Sequence, residues 1–192
     1  MITYKVQRVT DPDVEPVTLV QAKAHLNVDH DLDDELIEAY ISAARDQAER
    51  YCNRAFAMAD FLLLLRSLPA GMTPITLPDP GTKSVESITY LDEDGTEVTI
   101  PDMEYVVDVT RQQIRPATSW PTFGSSVVVR YTAGPDGSAS PAETPPKTIL
   151  QAILLLLSDM YELREAQVVG TSVAQNPAAT MRLSLYRVDM GA

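Results

Sequence analysis

The stretch ILQAILLLL, residues 149–157, is apolar on most faces of any helix that it forms. A helix without a broad polar face must be buried, so it belongs at the centre of a core. It is far shorter than the roughly 20 apolar residues that a membrane-spanning helix needs. Pro145 and Pro146 suit a first helical turn, and Thr144 or a neighbour can cap it. We therefore predict a central core helix over about 146–166.

Two helices are predicted near the N-terminus. Thr18 and Gln21, three residues apart in TLVQ, have the pattern of a capping box for a short helix that runs to about Asn27. Its inward-facing residues would be Leu19, Ala22 and Leu26. Apolar spacings of three and four predict a second helix over about 33–53. Its apolar stripe comprises Leu36, Ile37, Tyr40, Ile41, Ala44, Ala48, Tyr51 and Cys52. Its polar face comprises Glu38, Arg45, Asp46, Glu49 and Arg50.

Residues 56–133 are rich in β-branched and aromatic side chains, in short runs separated by Pro and Gly. These runs predict a β-rich lobe of about six short strands. Asp94 and Gly95 suit a hairpin turn between two of them. The following stretch, 134–146, is rich in Gly, Pro and Ser and is predicted to be an exposed loop. Residues 1–17 are interpreted as an extended lead-in.

The predicted fold class is therefore α+β, with an α-helical bundle that carries an inserted β-rich lobe. The predicted parts, in a single domain over 1–192, are the helix pair 18–53, the lobe 56–133, the core helix 146–166 and the tail 167–192 with a short helix.

Potential metal ligands are concentrated between the first two helices: His25, Asp29, His30, Asp31, Asp33, Asp34 and Glu35. The alternating acids resemble the start of a calcium-binding loop. However, the sixth position of such a loop needs Gly and holds Asp34, and the twelfth needs Glu and holds Tyr40. The two histidines are five residues apart, not the four that place a zinc-binding pair on one helix face. We predict no metal site.

Several of these acids have a simpler role at the start of the second helix. Asp31 or Asp33 suits the N-cap, and Asp34 and Glu35 fall in the first turn. Carboxylates are favoured there by the helix dipole. The cluster is therefore predicted to be an interhelical corner.

The sequence predicts no enzyme and no cofactor. Cys52 lies on an apolar stripe and is interpreted as core filling, and no serine lies in a nucleophile elbow. Gly-rich phosphate-binding loops are absent from the sequence. Trp120 could be a ligand platform, but a Trp-Pro pair before a strand favours a packed corner.

The formal net charge of -12 predicts a strongly acidic surface. Such a surface repels phosphate, which argues against a module that reads DNA, although DNA could still slide past. A single cysteine cannot form an internal disulfide, so a reducing compartment is expected. The N-terminus shows no secretory pattern, and a soluble, intracellular protein is expected.

Several motifs follow one another along residues 18–188. The first is a Thr-capped segment with Lys-x-His-Leu, an acidic break and a helix that ends in Glu-x-Tyr-x-x-Arg. It is followed by VESITYLDEDGTE, RQQIRPATSWP, VVVRYTAGP, PPKTILQAILLLLSDMYELREA and MRLSLYRV. In this order the motifs resemble those of the phage head–tail connector proteins, also called adaptor or head-completion proteins, of long-tailed phages and gene transfer agents.

The resemblance implies a structural virion protein without catalytic residues. Such connectors form a homo-oligomeric ring, usually of about twelve copies, under the portal protein. The ring joins the head to the tail, or to a tail-side stopper or terminator protein, and DNA passes through it without sequence recognition. The implied location is the head–tail junction, after assembly in the host cytoplasm, with no membrane partner. His25 is then a helix-face residue with a local hydrogen bond, and His30 is exposed.

The resemblance also places the end of the core helix and the C-terminal tail among the parts that meet neighbouring subunits or the portal. The predicted interface residues are Arg164, Glu165, Arg182, Leu183, Leu185, Tyr186 and Arg187. Tyr and Arg are common at interface hot spots. Alternatively, the tail packs on its own domain. On the first hypothesis, truncation after Asn176 leaves a folded monomer that cannot assemble.

A second function remains open at this point. The helix pair 18–53 could be a helix-turn-helix of a small DNA-binding packaging factor. Its second helix opens with DLDDE, residues 31–35, which would lie poorly against phosphates.

We predict that Asp29→Asn combined with Asp31→Asn leaves the melting temperature equally insensitive to calcium and to chelator, because these acids hold no metal. Thermal unfolding in both buffers measures this. A micromolar calcium isotherm in calorimetry that the two substitutions abolish would contradict the prediction.

Overall fold

The computed structural model describes residues 4–78, 81–139, 141–162 and 176–188, and within them it has four helices and two antiparallel sheets. The predicted α+β class is confirmed. The chain forms two compact units: a β unit of Met1–Asp13 and Met58–Gly134, and a helical unit of Val14–Ala57 and Pro135–Ala192. No helix in the described part of the chain is long and apolar enough to cross a membrane. The organisation as one domain over 1–192 stays a prediction.

The larger sheet of the β unit has five strands in the order β1-β2-β8-β4-β5. Their bounds are β1 Tyr4–Arg8, β2 Ala59–Ser67, β4 Thr82–Leu91, β5 Glu97–Thr99 and β8 Ser125–Ala133. Burial alternates along β2, where Phe61, Leu63 and Leu65 are buried. They lie opposite Tyr131, Val129 and Val127 of β8. One face of the central strands therefore forms the core of this unit.

The predicted hairpin turn joins β4 and β5. Gly95 has a φ of +79°, a conformation that costs glycine little. The Asp92 side chain accepts hydrogen bonds from the backbone N–H groups of Asp94 (3.0 Å) and Thr96 (2.8 Å). The turn and both flanking strands are therefore confirmed.

The smaller sheet has the order β3-β7-β6, with β3 Ile75–Thr76, β6 Tyr105–Asp108 and β7 Gln113–Pro116. A short 3₁₀ turn, Asp102–Glu104, precedes β6. Nearby, Trp120 is buried, and its Nε1–H donates to the carbonyl of Thr73 at 2.7 Å. Trp120 thus occupies a packed corner, as predicted, and its polar group is satisfied.

The predicted count of about six strands in residues 56–133 is not confirmed, because the described residues of that stretch contain seven, and β1 lies before it. β1 was expected only as an extended lead-in, and it pairs with β2. β7 has just four residues and ends in a proline, so it carries a weak strand signal. β1 is stabilised by pairing with a partner distant in the sequence, which local patterns do not show. β7 pairs with its neighbour β6 and with the more distant β3.

The helical unit contains α1 Leu19–Leu26, α2 Asp34–Cys52, α3 Lys147–Glu162 and α4 Pro177–Ser184. The predicted capping box is present in both directions: the Gln21 N–H donates to Thr18 Oγ1, and the Thr18 N–H donates to Gln21 Oε1. Asn27 and Asn53 end α1 and α2 in the left-handed conformation. Pro145 and Pro146 precede α3 and do not lie in its first turn, because the helix begins at Lys147.

Helix α3 lies at the centre of the core of this unit. Its buried residues are Ile149, Ala152, Ile153, Leu154, Leu156 and Leu157. They pack with buried residues of the other helices, namely Ala22, Ile37, Ile41, Ala44, Ala48, Cys52, Ala179 and Leu183. The predicted role of α3 as the core helix is confirmed through Glu162, and the predicted continuation to 166 lies outside the described residues.

Leu157→Ala should lower the free energy of unfolding by about 2–5 kcal/mol, because it leaves a cavity where the side chain is fully buried. Leu32→Ala is the matched control. That side chain is 91% exposed, so the expected change is within about 0.5 kcal/mol. Urea unfolding of both variants measures the difference, and equal stabilities would contradict the central position of α3.

Candidate assembly surface

Lysine 23 neutralises part of the acidic corner between α1 and α2. Lys23 Nζ lies 2.7 Å from Asp31 Oδ1 and 2.7 Å from Asp34 Oδ1. The hydrogen bonds to Asp31 and Asp34 raise the pKa of Lys23. The hydrogen bond from Lys23 likewise lowers the pKa of Asp31. A cation supplied by the chain itself therefore offsets part of the negative charge of the corner.

The start of α2 differs in one detail from the prediction. Asp33 occupies the N-cap position, but its side chain makes no capping hydrogen bond. Its Oδ2 instead accepts a hydrogen bond of 2.6 Å from the Tyr161 hydroxyl at the end of α3. Asp34 and Glu35 lie in the first turn, as predicted. The carboxylate that sequence reasoning assigned to a cap thus joins two helices.

The corner shows no metal-binding geometry. Among the described residues, no three His, Cys, Asp or Glu side chains form a group that could hold a metal ion. His25 is half-buried and His30 is exposed. The local hydrogen bond predicted for His25 is not found within the described ranges. Between the two tethered acids, Leu32 projects with 91% of its side chain exposed.

The described tail, residues 176–188, packs on its own unit. Asn176 Oδ1 caps α4 by accepting from the N–H groups of Ala178 (3.1 Å) and Ala179 (3.3 Å). At the other end, the Val188 N–H donates to the carbonyl of Cys52 at 2.8 Å. Asn53 Nδ2 donates in turn to the carbonyl of Val188 at 3.0 Å. The tail is thus held to the C-terminal end of α2.

Leu183 does not offer the surface anchor that the sequence predicted. It is 3% exposed and belongs to the core cluster together with Ala179. The two residues are four apart and share one face of α4. Truncation after Asn176 would remove both of them, so the expectation that it leaves a folded monomer is not supported by this packing.

The other predicted interface residues differ in their exposure and contacts. Leu185 is 76% exposed, and Tyr186 is half-buried against the core. The Arg187 guanidinium lies over the Tyr51 ring, 5.5 Å from its centroid. Arg182 Nη1 donates to the carbonyl of Ala178 at 2.9 Å. Arg164 and Glu165 lie outside the described residues.

One surface residue of α4 was missed. Met181 is 73% exposed and lies four residues before Leu185, so the two side chains share the outer face of this helix. The signal was available in the spacing of the two residues. Met181 extends the exposed apolar surface beside Arg182.

A buried ionic network was also missed, because Arg45 and Glu49 were assigned to the polar face of α2. Arg45 is 2% exposed and Glu49 is 6% exposed. Arg45 Nη1 lies 2.9 Å from Glu49 Oε2, and Arg45 Nε lies 2.8 Å from Glu15 Oε2. Burial lowers the pKa of Arg45, but the hydrogen bond to Glu15 and the charge of Glu49 outweigh it, and the net shift is upward. Ser42 Oγ donates to Glu15 Oε1 at 2.6 Å.

Cys52 fills the core as predicted. It is fully buried, and its thiol donates to the carbonyl of Leu183 at 3.3 Å. Burial raises the pKa of this thiol to about 11. At neutral pH it is therefore almost entirely protonated and a poor nucleophile.

The fold is shared with chains in structures of gene transfer agent (GTA) particles. A chain in the neck of an empty GTA particle, computed with C6 symmetry, has a TM-score of 0.74 at 23% identity, covering 98% of this chain and 97% of that chain. A chain in the virion of a native GTA particle has a TM-score of 0.74 at 22% identity, with 97% of each chain covered. A chain in the neck of a native GTA particle, computed with C12 symmetry, has a TM-score of 0.71 at 22% identity, covering 98% and 97%.

A match to a sequence family lies within the first half of the chain. Residues 16–94 match the family model of the phage gp6-like head-tail connector proteins. The predicted resemblance to head–tail connectors is thereby confirmed over the helix pair and the strands that follow it. No curated protein matches the chain in sequence.

Glu49→Gln should lower the free energy of unfolding by about 3–5 kcal/mol, because it removes one charge of a buried, hydrogen-bonded pair. Glu38→Gln, at an exposed position of the same helix, is the matched control and should change stability by less than about 0.5 kcal/mol. Chemical denaturation measures both variants. A parental midpoint for Glu49→Gln would show that the pair does not stabilise the fold.

Proposed function

We propose that this protein is a head–tail connector: a structural virion protein that forms a ring under the portal protein and joins the head to the tail. The observation that carries the proposal is the head-tail connector family match over residues 16–94. It is supported by the fold, because the structural match covers 97% of the length of each of two chains from GTA necks. The whole chain, 1–192, would then act as one connector domain.

A homo-oligomeric ring, of about twelve copies, is part of this proposal. The C6 and C12 symmetries of the two neck structures support a ring of sixfold or twelvefold order. Its neighbours would be the portal protein on the head side and a stopper or terminator protein on the tail side. The location would be the head–tail junction of a phage or gene transfer agent virion.

The charge of the chain suits passage of DNA through such a ring. A net charge of -12 gives the protein few means of holding phosphate. DNA can then move along the lumen without a deep electrostatic minimum and without sequence recognition.

The surface that meets neighbouring subunits or the portal would include the exposed part of the C-terminal tail. Leu185, Arg187 and Arg182 supply an apolar side chain beside positive charge. Tyr186, which is half-buried, would contribute the exposed part of its side chain to this surface. We include Arg164 and Glu165 from the sequence alone.

The DNA-binding alternative receives less support. A helix-turn-helix would place the start of α2 near phosphates. That start carries Asp34 and Glu35 in its first turn, with Asp31 just before it. Like charges at this position would oppose binding.

Cells that produce the particles but lack this protein should accumulate heads that lose their DNA and free tails, because no connector closes the junction. Expression of the wild-type chain should restore tailed particles. Electron microscopy of lysates and measurement of DNA-containing particles give the readout. Normal numbers of tailed particles without the protein would contradict the proposal.

A mobility-shift assay separates the connector from the packaging factor. The purified protein at about 10 μM and physiological salt should not retard duplex DNA, since even non-specific binders have dissociation constants near this range. Sequence-dependent retardation would favour the alternative. Negative-stain images of the protein mixed with portal protein would show whether a ring is added beneath the portal.

A further inference from the structure

Helix α2 carries opposite charges at its two ends. Its N-terminal end and the preceding corner, residues 29–35, contain five acids and no Lys or Arg. The C-terminal end is basic: Arg54 follows the helix, and Arg187 lies over Tyr51 in its last turn. Arg182 lies on the adjoining α4. The helical unit therefore carries negative charge at the N-terminal end of α2 and positive charge at its C-terminal end.

Each charged end also displays an exposed aliphatic side chain. We define the acidic corner as residues 29–35, with Leu32 at its centre, and the basic patch as Met181, Arg182, Leu185 and Arg187. Leu32 is 91% exposed, Leu185 is 76% exposed and Met181 is 73% exposed. Surfaces of opposite charge attract each other, and their complementary charges fix the register of a contact between them.

Side-chain hydrogen bonds connect the acidic corner to α1 and α3. Asp31 on one side of Leu32 is bound to Lys23, and Asp33 on the other side accepts from Tyr161. Leu32 is thus presented between two tethered residues. Binding through it would therefore lose little backbone entropy.

The basic patch is likewise anchored. The backbone hydrogen bond between Val188 and Cys52 holds the patch at the C-terminal end of α2. The Arg187 guanidinium lies over the Tyr51 ring. Its N–H donors lie in the plane of the guanidinium group and can bind a carboxylate at the edge of that plane.

The two surfaces cannot meet within one molecule. α2 runs from Asp34 to Cys52, and 19 residues of helix span about 28 Å. The acidic corner lies at one end of this helix and the basic patch at the other. The two surfaces can therefore contact each other only between two copies.

We propose that the acidic corner of one subunit binds the basic patch of the next. Leu32 would pack against Leu185 and Met181, and the acids around Leu32 would face Arg187 and Arg182. Because the two surfaces differ, the contact is heterologous, and its repetition generates a ring when the rotation closes. The inference rests on the proposed ring and identifies the pair of surfaces that would build it.

Cysteine crosslinking in complemented particles tests the contact. In the variant Leu32→Cys with Leu185→Cys, mild oxidation at pH 8 should give a ladder of disulfide-linked multimers on a non-reducing gel. Each single variant should give at least about tenfold less multimer, because its cysteines lie at only one end of each contact. Cys52 should stay unreacted, since it is buried and its thiol pKa is raised to about 11.

A charge exchange provides a second readout that needs no crosslink. Glu35→Arg and Arg187→Glu should each lower the yield of tailed particles by about tenfold, and the combined variant should recover most of that loss. Glu38→Arg with Arg187→Glu is the matched control, because Glu38 lies outside the acidic corner. Recovery specific to the Glu35 pair supports the contact even if the cysteine variants assemble poorly.

The outcomes separate this inference from the proposed function. Tailed particles that contain the double-cysteine protein only as monomer, together with no recovery in the charge exchange, would overturn the contact and leave the connector role standing. Equal dimer formation by either single-cysteine variant would show a contact between like surfaces, which also overturns it. Failure of the wild-type chain to restore tailed particles would count against the connector role itself.

Discussion

The carboxylate of Glu49 organises the helical unit at the points where the chain enters and leaves it. Its Oε1 accepts from the backbone N–H of Phe56 at 2.6 Å, where the chain leaves α2. Its Oε2 binds Arg45, and Arg45 binds Glu15, where the chain enters the unit. Arg45 and Glu49 are both buried, and an unpaired charge at such a depth would be strongly destabilising, so each of these two side chains depends on the other. The network therefore fixes both connecting segments to one helix.

Local sequence patterns predicted the helices well and the sheets in part. Apolar spacing located α2 to within one residue at each end, because its stripe faces a large core. The capping box of α1 and the turn at Gly95 could also be predicted from the sequence, since both are formed by residues close together in the chain. β1 was not predicted, because it depends on a partner far away in the sequence, and β7 was not, because its four residues end in a proline and carry a weak strand signal. The burial of Arg45 was also hidden, since only the folded chain brings Glu15 beside it.

The candidate surface shows the same limit at the level of single residues. The resemblance placed both Leu183 and Leu185 among the interface residues, and the sequence did not separate one from the other. Two residues apart on a helix means a rotation of about 200°, so one side chain enters the core while the other faces solvent. Sequence reasoning likewise saw the acids near Leu32 and missed their tethers, because Tyr161 reaches Asp33 from a helix that begins more than a hundred residues later.

The division of the helical unit between two distant stretches of chain has a consequence for how the protein folds. α1 and α2 are synthesised early, yet the helix that covers their apolar stripe follows the whole of β2 to β8. Contacts of such long range close slowly, because a long loop must be ordered before they form. Most of the β unit can fold first, while Ile37, Ile41 and Ala44 of α2 are still exposed to solvent. On the ribosome, the last steps of folding are then the docking of α3 and, after it, of α4. Until α3 docks, the nascent chain carries an exposed hydrophobic stripe that chaperones can bind.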